Sequence, residues 1–66
     1  MKIRDFVEDE LQVFREKCNF TEEELKVFNL RAKDISYTAI AYQLGMSESK
    51  VYAIAKRVKT KMLKVI

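Results

Sequence analysis

Three times in this chain an apolar residue precedes a hydroxyl residue, and a second apolar residue follows four positions after the hydroxyl. The sets are Phe20-Thr21 with Leu25, Ile35-Ser36 with Ile40, and Met46-Ser47 with Val51. Each set is a helix-start signal. The hydroxyl accepts from a free backbone N–H of the first turn, and the apolar pair staples the entry of the chain. In the first set Glu24 completes a capping box. Glu22, Glu23 and Glu24 also set negative charge against the positive end of the helix dipole. Such a run could suggest acid–base chemistry, but with neither a pocket nor a partner group indicated it is read as helix-start electrostatics. Helices are therefore predicted over Glu22–Lys33, over Tyr37–Leu44, and from Glu48 to about Leu63.

Nothing along the chain interrupts that pattern. There is no proline, and Gly45 is the sole glycine, so the connections must be short. Upstream, Ile3, Val7, Leu11, Phe14 and Cys18 recur at spacings of three and four, with Phe6 and Val13 widening the stripe. This predicts an N-terminal amphipathic helix over 3–17, used for packing or dimerisation. Glu10 and Lys17 on its border suit a helix shared between the domain and a partner. Strict alternation over the length of a strand does not occur. The fold class is all-α: one small four-helix domain over residues 1–66.

Residue content removes several functions. The chain has no histidine and one cysteine, Cys18, so a zinc finger and a Cys/His nucleophile are both excluded. A single glycine cannot build a glycine-rich phosphate loop. The longest apolar run is five residues, Val51 to Ala55, far short of a bilayer span. The start, Met1 to Phe6, lacks the features of a secretory signal, and a lone thiol fits a reducing compartment, so a cytoplasmic location is expected. Cys18 is read as a small buried apolar side chain. No enzymatic activity, cofactor, metal or small-molecule ligand is expected.

Charge is distributed unevenly. Residues 1–24 hold four Lys/Arg against eight Asp/Glu, whereas residues 45–66 hold six against one. With Val51 at the centre of the last helix's buried face, Ile54, Ala55, Val58 and Met62 join it. The opposite face carries Ser49, Ala53, Lys56, Arg57, Thr60 and Lys64, flanked by Lys50 and Tyr52. A face with cations, hydroxyls, a small residue and no acid suits a major groove. Before it, Gly45-Met46-Ser47 forms a tight turn between a short helix and a longer one, the helix-turn-helix pattern. Ile40, Ala41, Leu44, Met46, Val51 and Ile54 are its expected wedge.

These residues carry a family resemblance. Phe20-Thr21-Glu22-Glu23-Glu24, Val27-Phe28, Ser36-Tyr37, Ile40-Ala41, Leu44-Gly45-Met46-Ser47 and Val51 resemble the LuxR/GerE-type DNA-binding domain. They are closely similar to the fourth region of bacterial sigma factors as well. The resemblance covers about residues 20–63, with a recognition helix at 48–63. It implies a tri- or tetrahelical helix-turn-helix unit on promoter-type DNA. It also implies base reading by Ser49, Lys50, Tyr52 and Ala53, and backbone contact by Lys56 and Arg57. Tyr37 and Thr38, opening the preceding helix, are further backbone-contact positions. Thr60 joins the set from the helix wheel. Where the family often has glycine this chain has Asp34, so that turn is expected to close differently. Lys50 and Tyr52 replace the usual Thr and Lys, so the family's sequence preference does not transfer.

The leading function is a sequence-specific, double-stranded DNA-binding transcriptional regulator. A unit of this size offers only about 600–1,000 Å² to DNA, so a homodimer over two half-sites is expected. The N-terminal helix and the apolar end Met62-Leu63-Val65-Ile66 are the candidate surfaces. The alternative is a sigma-like adaptor that binds RNA polymerase or another regulator without reading DNA. A membrane-surface role is disfavoured, because the core needs the last helix's apolar stripe. Tyr37, Tyr42 and Tyr52 are not expected to form a stacking platform, since they belong to different elements.

Overall fold

Helix starts and stops in this chain are dictated by the residues at each junction. The computed structural model describes residues 2–66. A 3₁₀ turn at Ile3–Asp5 leads into α1 (Glu8–Lys17), α2 (Glu22–Ala32), α3 (Tyr37–Leu44) and α4 (Glu48–Val65). Among the described residues there is no strand, and no helix is long and apolar enough to cross a membrane.

The three predicted caps form as expected. Thr21 Oγ1 accepts from Glu24 N at 3.2 Å, and Thr21 N donates to Glu24 Oε1 at 3.0 Å, closing the capping box. Ser36 Oγ accepts from Ala39 N at 3.1 Å, and Ser47 Oγ accepts from Lys50 N at 3.2 Å. Phe20 lies against Phe28, with ring centroids 4.9 Å apart, while its expected staple partner Leu25 stays on the exposed rim.

The three interhelical junctions share one backbone device. Asn19, Asp34 and Gly45 all take left-handed backbone, with φ of 53°, 62° and 65°. Each is followed by an apolar residue and then by the cap, giving Asn19-Phe20-Thr21, Asp34-Ile35-Ser36 and Gly45-Met46-Ser47. At the second and third junctions the apolar residue's N–H reaches back five residues, Ile35 N to Leu30 O and Met46 N to Ala41 O. That bond is the Schellman closure, which satisfies a carbonyl at the helix end. Asp34 therefore closes its turn as glycine would, contrary to the expectation from sequence. Short polar side chains are the L-residues that tolerate this conformation best. Arg4 Nη1 also holds the Asp34 carboxylate, at 2.7 Å.

The N-terminal segment departs from prediction. The helix expected over 3–17 is broken at Phe6 and Val7, both in extended backbone. The cause is local. Glu8, Asp9 and Glu10 favour a helix N-terminus, and Glu10 Oε1 accepts from Val7 N at 3.0 Å. The break lets Phe6 turn back onto Phe14, edge to face at 5.0 Å, and it leaves Val7 exposed.

Ile3, Leu11, Phe14, Cys18, Val27, Phe28, Ile40, Ala41, Val51, Ile54, Ala55, Val58 and Met62 form one core. The wedge expected between α3 and α4 is inside it, with Leu44 and Met46 packed at its edge. α4 rests on α2 and α3 and meets α1 near its far end. Cys18 is buried, which pushes its thiol above the ordinary range, and the nearby Lys61 charge offsets part of that rise.

Candidate nucleic-acid interface

α4 presents its apolar stripe inward, as the spacing required. Val51, Ile54, Ala55, Val58 and Met62 are buried, and Ser49, Lys50, Tyr52, Ala53, Lys56, Arg57, Thr60 and Lys64 are exposed. The outward face divides into a central strip and two edges of different character.

The central strip consists of Ser49, Ala53, Thr60 and Lys64. Thr60 Oγ1 donates to the Lys56 carbonyl at 3.0 Å within the helix, which leaves its lone pairs directed outward. No carboxylate side chain arises from this strip. Glu48, in the first turn, is occupied laterally, accepting from Thr38 Oγ1 at 2.8 Å. That surface bond ties the start of α3 to the start of α4, and the Thr38 hydroxyl proton is engaged in it.

One edge faces α2 and is largely neutralised. Lys50 Nζ lies 3.3 Å from Glu23 Oε2, and Arg57 Nε lies 3.3 Å from Glu24 Oε2. Lys61 Nζ donates to Glu24 Oε1 as well. The Glu24 residue is only 2% exposed, and it joins the capping box to Arg57 and Lys61 of α4. Burial alone would raise its pKa. Hydrogen bonds from Lys61, the Thr21 N–H and Arg57, with the Lys61 charge, outweigh burial and hold the carboxyl below its ordinary 4.5. The helix wheel puts Arg57 on the outward face with Lys50 flanking it, and the structure pairs both with acids. Lys50, Arg57 and Lys61 form a single stripe along α4, and that periodicity is the signal by which an acidic partner could have been sought.

The other edge faces the start of α3. Tyr37 and Tyr52 stack with ring centroids 4.3 Å apart at 33°, and Arg31 covers Tyr37 at 4.4 Å. Tyr37 and Tyr52 come together across the two elements despite their separation in sequence, each ring using a face on the other. Tyr42 is 90% exposed and takes no part. Beyond Tyr52, an open groove of about 500 Å³ is lined by Tyr37, Tyr52, Ala55, Lys56, Lys59, Thr60 and Leu63. Among the described residues, Lys56, Lys59 and Lys64 make no ion pair. Lys59 was not singled out from the sequence, because its wheel position falls close to the buried stripe. No cluster of candidate metal ligands occurs among the described residues.

Comparison of this chain with protein-family models, curated proteins and solved structures found no match.

Proposed function

We propose that this domain is a helix-turn-helix unit that binds double-stranded DNA as a transcriptional regulator, with α3 and α4 as the motif. The observation that carries the reading is the outward face of α4. From Ser49 through Ala53, Lys56 and Thr60 to Lys64 it is exposed, bears unpaired cations and contributes no acid. In this reading the first turns of α4 enter the major groove, where Ser49 and Ala53 meet base edges and Lys56 meets phosphate. Lys50 and Tyr52 flank that contact. Tyr37 and Thr38 act mainly by orienting α4, through the ring stack and the Glu48 bond, rather than as direct phosphate ligands. Arg57, held by Glu24, contributes less than Lys56 to the backbone contact.

Lys56→Ala tests the assignment. It is expected to weaken binding to every duplex and to flatten the salt dependence by about one unit for one lost phosphate contact. Ser49→Ala and Ala53→Ser are expected to change the preferred sequence instead. Unaltered binding in Lys56→Ala would remove this face from the interface. The adaptor reading draws on a different observation: Glu23 and Glu24 withdraw Lys50 and Arg57 from a DNA backbone. Under that reading duplex DNA of any sequence is ignored, and a polymerase or another regulator takes its place.

A further inference from the structure

Two surfaces have complementary chemistry, one on α1 and one on α4 that shares Tyr52 and Lys56 with the proposed DNA face. On α1, Val13 is 47% exposed. Asp9 and Glu10 lie about one turn before it and Glu16 and Lys17 one turn after, so three carboxylates and one cation flank the valine. Asp9 and Glu16 make no ion pair among the described residues. On α4, the groove beside Tyr52 has the opposite charge. Its rim carries Leu63, 64% exposed, with Lys56 and Lys59 equally without acidic partners.

We infer that copies of this chain associate by laying the acidic outer face of α1 in one copy against the basic Tyr52–Leu63 groove of α4 in another. Val13 and Leu63 supply the apolar contact, and Asp9 and Glu16 oppose Lys56 and Lys59. A stable interface needs about 800 Å² from each partner, which is roughly a fifth of this chain's 4398 Å² surface. One helix on one groove falls short of that, and reciprocal exchange doubles the contact and closes the pair by two-fold symmetry. Lys56 borders both this groove and the outward face. Lys59 and Leu63 lie about one and two turns further along α4, away from Ser49 and Ala53. The inference does not rest on the proposed DNA reading, although both engage Lys56.

The test is sedimentation equilibrium without DNA on two charge-reversed proteins, separately and mixed. One carries Asp9→Lys with Glu16→Lys, and the other carries Lys56→Glu with Lys59→Glu. Asp9, Glu16 and Lys56 are exposed and Lys59 is half-buried, so circular dichroism checks that helix content is kept. Wild type is expected to rise with concentration from 7.8 kDa toward twice that mass. Each reversed protein alone is expected to remain at monomer mass, because its α1 and groove then repel. Their mixture is expected to regain dimer mass, because each α1 again meets a groove of opposite sign. A wild type that stays monomeric to about 1 mM, the concentration at which association is worth only about 4 kcal/mol, would overturn the inference. So would reversed proteins that dimerise alone, or a mixture that fails to recover. None of these outcomes bears on whether the monomer binds duplex DNA.

Discussion

Asn19, Asp34 and Gly45 show how single residues shape the chain's turns. All three hold left-handed backbone, which costs an ordinary L-residue roughly 1–2 kcal/mol and costs glycine almost nothing. A Cβ added at Gly45 would meet no atom within 4 Å, so Gly45→Ala isolates the backbone cost. Its expected effect in urea denaturation is a loss of about 1 kcal/mol. Asn19→Gly is expected to move stability the other way, by a few tenths to about 1 kcal/mol. Glu24 is the second decisive residue. Its folded pKa lies below the ordinary 4.5, so its stabilisation is fully present above that pH and is lost as pH falls through the folded value. Glu24→Gln is expected to cost about 1–3 kcal/mol at neutral pH, because three donors lose a charged acceptor. The same substitution should flatten the acid limb of the melting-temperature profile below pH 4.5, and an unchanged limb would exclude Glu24 as its source.

At the scale of elements, the cap grammar was legible because a helix start is a local event involving about five residues. Thr21, Ser36 and Ser47 each cap as their spacing requires. Replacing any one with alanine is expected to cost about 1 kcal/mol, measurable by thermal melting. The inward stripe of α4 was equally readable, since helical period alone decides it. The break at Phe6 and Val7 was not, because the apolar spacing continues across it. What ends the helical register there is Glu10 capping Val7, together with Phe6 returning to Phe14. The division of α4 into a neutralised edge and a basic edge was also hidden. Glu23 and Glu24 are more than twenty-five residues from Lys50, and only the packing of α2 on α4 brings them together. The Tyr37–Tyr52 stack is hidden for the same reason, joining the first residue of α3 to the second turn of α4.

For the molecule as a whole, a 66-residue chain commands about 3–10 kcal/mol of stability at typical values per residue. Phe28 is fully buried, and it touches both Phe14 and Phe20. Phe28→Ala is expected to cost about 3–5 kcal/mol, enough to unfold a domain at the lower end of that range. Such a small core needs the buried face of α4 to close the fold, and the other face is the one proposed to meet DNA. The all-helical architecture follows from the sequence pattern, while the proposal of DNA as partner rests on the charge of the outer face. The most direct measurement is binding of the purified protein to mixed-sequence duplex DNA across a salt series. Association is expected at low salt, with a steep linear fall of log affinity with log salt as lysines displace condensed counterions. Absence of binding at low salt, at protein concentrations of about 100 μM where non-specific contacts are detectable, would contradict it.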